Sequence, residues 1–290
     1  MVYLNGEFLP LEEAKVPVLD RGFIFGDGVY EFVPCYGGKP LRLAQHLARL
    51  QRNCEAIRLA NPCSDSKWAE LIAEIIMRNG GGNLAVYMHL TRGVAKRDHA
   101  FPATAIPTVF MMATPLSTPS QEQIDNGVAC VTMADNRWLR CDVKSISLLG
   151  NVLLRQAAMD GGGVEAVLFR DGFLTEGSAS NILVARQGKL LAPPKDHLIL
   201  PGITYDLVLE LDAQHGVPLE VREISEAEVR GADELMLTSS SKEVLAITIL
   251  DGKPVGNGKP GPIFKLLHQL YQTYKAKLES SDLSTDQPGR

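Results

Sequence analysis

Lys144 is the first residue whose place in the sequence suggests chemistry. It lies in Arg140-Cys-Asp-Val-Lys-Ser-Ile-Ser-Leu-Leu149, where a strand-like stretch turns toward an apolar helix. A lysine partly withdrawn from water has its ammonium form disfavoured and acts as a neutral amine near pH 7, as Schiff-base chemistry with an aldehyde requires. A lysine in a solvated loop is the plain alternative. Glu176, in Leu174-Thr-Glu-Gly-Ser-Ala-Ser-Asn-Ile-Leu183, precedes small hydroxyl residues and a strand. A buried carboxylate opposite a ring nitrogen keeps that nitrogen protonated, although the same residues also make an ordinary turn. In Leu200-Pro-Gly-Ile-Thr204 a glycine and a threonine stand before a predicted helix. Free backbone N–H groups and the helix dipole suit a phosphate there, with Thr204 adding a hydroxyl; simple N-capping explains them as well. Thr238-Ser-Ser-Ser241 offers further phosphate donors, Ser240 among them, or a commonplace serine-rich turn.

Arg97 and His99 stand two apart in the polar segment 91–99. In an extended loop they project to one side, so a guanidinium and an imidazole converge and could hold a carboxylate; a charged loop facing water is the alternative. Arg49 falls off the apolar stripe of Leu43, Leu47 and Leu50, which by helical spacing places it in solvent. Phosphate donors, an aldehyde-binding lysine, a carboxylate for a ring nitrogen and a carboxylate clamp together form the parts of a pyridoxal 5'-phosphate site working on an amino acid. The combination is more specific than any member.

The elements that must position these residues are legible from periodicity. Asn5-Gly6 suits a tight turn between Val2-Tyr3-Leu4 and Glu7-Phe8-Leu9. Apolar residues at spacings of three and four predict helices over 43–57 and 68–76; strand-like runs cover 84–90 and 107–113. Farther on, strands are expected at 127–133, 164–170, 181–186, 234–238 and 245–250, and helices at 147–160, 203–215 and 262–278. Two prolines and four hydroxyl residues in 114–120 mark a linker. The expected organisation is a smaller α/β domain over 1–116, a linker over 117–123, a larger cofactor-binding domain over 124–279 and a polar, unfolded tail over 280–290.

Composition narrows the rest. The 290 residues carry a net charge of −5 with no basic runs, which argues against nucleic acid and anionic membrane as partners and for small molecules or proteins. Five scattered cysteines without a C-x-x-C suit reduced thiols in a cytoplasmic protein and indicate no zinc cage. No apolar run approaches the roughly 18 residues of a membrane span, and the usual short signatures for dinucleotides, the Walker phosphate loop, zinc proteases and serine hydrolases are missing.

With these residues assembled, the chain resembles the fold-type IV (class IV) pyridoxal-phosphate-dependent aminotransferases, and among them the D-amino-acid branch. The resemblance runs through Asp20-Arg-Gly-Phe-Ile-Phe-Gly-Asp-Gly-Val-Tyr-Glu31, His46-Leu-Ala-Arg-Leu50, Arg137-Trp-Leu-Arg-Cys-Asp-Val-Lys-Ser145, Leu148-Leu-Gly-Asn151, Thr175-Glu-Gly-Ser178 and Asp251-Gly252. It implies two α/β domains with the cofactor between them, and a homodimer whose active sites borrow from both subunits. By resemblance, Lys144 is the catalytic lysine that binds the cofactor and shuttles the proton, and Glu176 partners the pyridine nitrogen. Arg49, Ile203, Thr204 and Ser240 match phosphate-binding positions. Tyr30, Arg97 and His99 match the trio that holds the substrate α-carboxylate, the last two reaching from the other subunit. Two departures are Ala179, where a serine is expected, and Tyr205, where an arginine is common. The implied reaction is ping-pong transamination between a D-alanine-like donor and 2-oxoglutarate or pyruvate. Branched-chain L-amino-acid aminotransferase and aminodeoxychorismate lyase are the sibling alternatives; an idle cofactor-binding scaffold is the non-enzymatic one.

Overall fold

The computed structural model describes residues 1–280. The expectation of an unfolded tail falls on 281–290, outside the described residues, apart from Ser280, whose N–H bonds Ala276 O. Among the described residues the chain forms two compact units. The first comprises Met1–Leu116, Val143–Ser147 and the residues from Lys275 onward; the second comprises Ser117–Asp142 and Leu148–Tyr274.

The first unit is an antiparallel sheet backed by helices. In chain order it contains β1 (Val2–Leu4), β2 (Glu7–Leu9), α1 (Arg21–Phe25), β3 (Gly28–Tyr36), β4 (Lys39–Pro40), α2 (Leu43–Ala56), α3 (Asp65–Arg78), β5 (Leu84–Thr91) and β6 (Thr108–Pro115). The strand order is β2-β1-β6-β5-β3-β4. The first hairpin turns at Asn5 and Gly6, both at positive φ, as its dipeptide predicts. The apolar stripes of α2 and α3 bury Leu47, Leu50, Trp68, Ile72 and Ile75 against Val33, Val86 and Met88 of the sheet. Ser64 caps α3 by accepting from Lys67 N–H, which starts that helix three residues before its first buried side chain.

Periodicity does not announce β3, the long strand beside β5, because Glu31 and Pro34 interrupt it. Tertiary structure accommodates both. Glu31 is paired by α2, as described below, and Pro34 faces the short β4, where its carbonyl accepts from Leu41 N–H and its missing N–H interrupts no bond to β5.

The second unit is built on a mixed sheet. Its elements are α4 (Gln121–Asn126), β7 (Val128–Ala134), α5 (Leu149–Asp160), β8 (Ala166–Arg170), β9 (Phe173–Gly177), β10 (Asn181–Arg186), β11 (Lys189–Ala192), α6 (Ile203–Ala213), β12 (Leu219–Val221), α7 (Glu226–Arg230), β13 (Glu234–Ser239), β14 (Glu243–Leu250), β15 (Lys253–Pro254) and α8 (Pro262–Glu279), the last passing into the first unit at Lys275. The path is β12-β11-β10-β13-β14-β7-β8-β9, with β15 on β14. The pairs β11·β12, β14·β7 and β7·β8 are parallel; the others are antiparallel. Its central strands are buried on both faces, so they read as continuous apolar runs such as Ile182-Leu-Val184. The mixed α/β character agrees with the fold class expected from sequence.

Trp68 is fully buried in the first core, and its indole N–H donates to Asn61 Oδ1 at 3.0 Å. Trp68→Ala is expected to cost about 3–5 kcal/mol of unfolding free energy, read as a lower urea midpoint at unchanged m value.

Candidate functional site

In the first unit, Val143–Ser147 runs as a strap along the start of β3. Tyr30 N–H donates to Lys144 O at 3.0 Å, Ile146 N–H to Gly28 O at 3.2 Å, and Ser147 Oγ to Gly26 O at 2.9 Å. Gly28 allows the approach: a Cβ there would lie 2.2 Å from Leu90 O and 2.9 Å from Ile146 Cδ1. Lys144 is half-buried, with its ammonium 4.2 Å from the centroid of the Tyr30 ring, a cation–π contact. Behind Tyr30 stands Tyr87, ring centroids 5.6 Å apart, whose hydroxyl bonds His89 Nδ1 at 2.7 Å. Burial pushes the Tyr87 hydroxyl up to about 12 and lowers His89, so both are neutral near pH 7.

Glu31 projects to the opposite face of β3 from Tyr30. It is wholly buried and accepts from Arg49 Nε at 2.7 Å, Arg49 Nη2 at 2.8 Å and His46 Nδ1 at 2.8 Å. The spacing 46, 49, 53 brings His46, Arg49 and Asn53 onto one polar row of α2, and Asn53 Oδ1 accepts from Lys144 N–H at 3.3 Å. Helical spacing placed Arg49 in water; the structure corrects this, because a buried carboxylate on β3 supplies the partner that makes burial of a guanidinium tolerable. Burial raises the Glu31 carboxyl, but the charge and hydrogen bonds of Arg49 and the His46 ring outweigh it and hold it well below the ordinary range. Burial lowers His46 despite Glu31, so its proton sits on Nδ1, facing the carboxylate. His46 Nε2 and Asn53 Nδ2 are buried with no partner among the described residues, a polar capacity that buried groups normally satisfy.

Arg97 and His99 are exposed, and both pack on Phe25: the guanidinium carbon and the imidazole each lie 5.4 Å from its ring centroid. Tyr30 packs instead with Tyr87 and Lys144.

The second unit holds Glu176. Its side chain is buried on β9 and accepts from Arg137 Nη1 at 2.6 Å, Asn181 Nδ2 at 3.1 Å and Leu200 N–H at 3.1 Å. Arg137 also donates to both oxygens of Asp135, each at 2.9 Å, and Asp135 takes Thr175 Oγ1 and Arg170 besides. Because Arg137 is shared between two acids, it does not offset the burial of Glu176, whose carboxyl is pushed up to about 7. Arg137 appears in a family motif, yet neither its type nor its spacing assigns it to Glu176; only the fold joins them.

The other second-unit residues stand at chain turns. α6 begins at Ile203, and Gly202 at its N-cap makes no side-chain cap, so the first-turn N–H groups have no capping side chain. A Cβ at Gly202 would lie 2.1 Å from Asn181 Oδ1, so a larger residue there would have to displace the amide that bonds Glu176. Thr204 is buried; Ser240 lies in the turn after β13; Thr238 Oγ1, at the strand's end, is buried without a partner among the described residues. Glu165, which sequence reasoning missed, ties the 178–180 turn to this one: it accepts from Ser178 Oγ, Ser180 Oγ and Lys242 Nζ. Of the departures, Ala179 is exposed, and Tyr205 is buried with its hydroxyl donating to Pro193 O at 2.7 Å. The donor set fits a phosphorylated pyridine: an uncapped helix start with an orphaned buried hydroxyl for an anion, and a buried carboxylate for a ring nitrogen.

The family profile described as amino-transferase class IV matches residues 28–250. A D-alanine aminotransferase of Bacillus licheniformis is 39% identical over 271 residues, 93% of this chain and 95% of that protein. One from Staphylococcus aureus is 37% identical over 273 residues, 94% and 97% of the two chains. Among solved structures, a branched-chain amino acid aminotransferase of Escherichia coli superposes with a TM-score of 0.86 at 23% identity over 99% of this chain and 96% of that one. A fold IV transaminase of Curtobacterium pusillum gives 0.79 at 27% identity, with 92% of each chain covered.

The raised Glu176 carboxyl has a measurable consequence in the cofactor-free protein. Between its ordinary 4.5 and about 7 the folded state keeps a proton that the unfolded chain has released, so this group lowers stability as pH rises through that window. Glu176→Gln removes the titration. Urea unfolding from about pH 5 to about pH 8 is expected to show the wild-type protein losing stability relative to the variant as pH rises; parallel curves would contradict the raised value.

Proposed function

The chain belongs to the class IV aminotransferases, and from that premise we propose that it transfers the amino group of D-amino acids to α-keto acids. The family's cofactor is pyridoxal phosphate, and the enzyme is a pyridoxal-phosphate-dependent aminotransferase. The observation that carries the D-amino-acid reading is near-full-length identity of 36–39% to D-alanine aminotransferases. The likeness to the Escherichia coli branched-chain enzyme, at 23% identity, speaks for the fold alone. The Arg97-x-His99 pair supports the same reading, because a guanidinium and an imidazole held against one ring, Phe25, offer hydrogen-bond donors suited to a carboxylate.

Pyridoxal phosphate, when bound, supplies an aldehyde carbon that accepts amines and a ring that draws off the electron pair left at substrate Cα. In this reading the phosphate is held by Arg49, Ile203, Thr204 and Ser240, with charge, helix N–H groups and hydroxyls as donors. Glu176 faces the ring nitrogen and holds its proton there, and the shared Arg137 keeps the carboxylate in place. Lys144 Nζ would hold the cofactor at its aldehyde and, as a free amine, would take the proton from substrate Cα. The Tyr30 face steadies that amine. Tyr30, Arg97 and His99 hold the substrate α-carboxylate, so handedness follows from where that group is anchored relative to Lys144. A D-alanine-like donor leaves as its α-keto acid; 2-oxoglutarate or pyruvate then takes the amino group in a second half-reaction, giving ping-pong kinetics.

We place Arg97 and His99 in service to the partner subunit of a homodimer, since both are exposed in their own chain. The exposed apolar face of α5, with Leu149, Val152, Leu153 and Met159, supports self-association. Among the described residues no helix is long and apolar enough to cross a membrane, and five unpaired cysteines suit a reducing, cytoplasmic setting.

The test is an absorbance titration of the cofactor-loaded protein without an acceptor. D-Alanine is expected to bleach the visible band and L-leucine to leave it; the reverse result keeps the family and overturns the D-amino-acid reading. Lys144→Ala is expected to lower turnover at least about a hundredfold. For the assembly, light scattering should give twice the 31.6 kDa chain mass, and Leu153→Glu should shift it toward one chain.

A further inference from the structure

Arg21 is almost wholly buried, and both of its terminal guanidinium nitrogens donate to backbone. Nη1 donates to Asp98 O at 2.6 Å and to Ala100 O at 3.3 Å, and Nη2 to His99 O at 3.5 Å. Three successive carbonyls of the loop that carries Arg97 and His99 are therefore gathered by one side chain. Its remaining edge is oriented by Asp27, which accepts from Nε at 2.7 Å and simultaneously from Arg92 at 2.8 and 2.9 Å. Arg92 in turn lies under the Phe101 ring at 3.7 Å and donates to Arg58 O and Ile57 O. The short α1 that presents Arg21 is itself pinned, since Arg21 N–H donates to Gly93 O, and a Cβ on Gly22 would lie 2.2 Å from Thr91 Cγ2. The same helix supplies Phe25, against which both Arg97 and His99 pack.

We propose that Arg21 is a positioning residue for the substrate carboxylate: by gripping the carbonyls of 98–100 it sets the direction and separation of Arg97 and His99 before substrate arrives. The proposal rests on the reading that those two side chains hold the α-carboxylate. A mobile loop would have to be ordered at each binding event, and that ordering would subtract from affinity; a loop already gripped at three carbonyls loses little more. The planar fork of arginine is what the task needs. A lysine at 21 would keep the charge near Asp27 but, as a single-point donor, could not span three carbonyls and a carboxylate at once.

The test compares Arg21→Lys and Arg97→Ala with the wild-type holoenzyme. KM and kcat for D-alanine are measured, with the inhibition constant of D-lactate, which offers the carboxylate without a reactive amine. Arg21→Lys is expected to raise both the D-alanine KM and the D-lactate constant by about tenfold or more, because small misplacement of binding groups is costly. Its kcat at saturation, cofactor absorbance and holoenzyme melting temperature should stay near wild type, a split that general destabilisation would not produce. Unchanged D-lactate inhibition in Arg21→Lys, with a raised constant in Arg97→Ala, overturns the proposal and leaves the clamp in place. Unchanged inhibition in Arg97→Ala overturns the clamp itself, and the proposal with it. Should Arg21→Lys not fold, Asp27→Asn carries the same test by removing the carboxylate that orients the arginine, and wild-type D-lactate inhibition there overturns the proposal.

Discussion

The buried ion cluster of Glu31 with Arg49 and His46 is the constraint on which the first unit's arrangement depends. A carboxylate stripped of water is tolerable only with charged and hydrogen-bonded partners in good geometry; β3 carries the carboxylate and α2 supplies both partners. The cluster thereby fixes the register of β3, because a slip of one residue would turn Glu31 to the wrong face. That register also aims Tyr30 at Lys144 and aligns the strap Val143–Ser147 along the strand. A stability interaction and the side chain proposed to meet substrate, Glu31 and Tyr30, are adjacent residues of one strand, on opposite faces, so neither moves without the other.

Two buried carboxylates, Glu31 and Glu176, show how the other obligations of a partner arginine decide charge. Both are raised by burial. Glu31 faces an arginine whose Nε and Nη2 both serve it, with a histidine alongside, and is held low. Glu176 shares its arginine with Asp135, which takes two of that guanidinium's bonds, and stays near 7. A carboxyl poised at that level holds or shares a proton according to what stands opposite it. Arg137 is thus the residue through which Asp135, Thr175 and Arg170 bear on Glu176.

A branched-chain enzyme shares this backbone at 23% identity, so the backbone by itself assigns no substrate. In the proposed reading, the exposed segment carrying Arg97 and His99 sets the choice of substrate. Buried Arg21 holds its backbone and Arg92 lies under the adjoining Phe101 ring, so exposure of its side chains does not require mobility of the loop.

Much of this was legible in the residues alone. Apolar periodicity located α2, α3, α6 and α8 and most long strands, because one-sided burial imprints a period of two or 3.6 residues on the sequence. Residue chemistry singled out Lys144, Glu176, Thr204 and the Arg97–His99 pair, because few other types offer an amine, a buried acid or a paired clamp. Tertiary structure alone decided β3, whose Glu31 and Pro34 break the pattern and are rescued by α2 and by an edge. It also decided the burial of Arg49 and the assignment of Arg137 to Glu176, of Glu165 to two turns, and of Arg21 to the 98–100 carbonyls. Each of those pairs a polar group with one distant in sequence, and periodicity records which face a residue occupies but not which charge waits there.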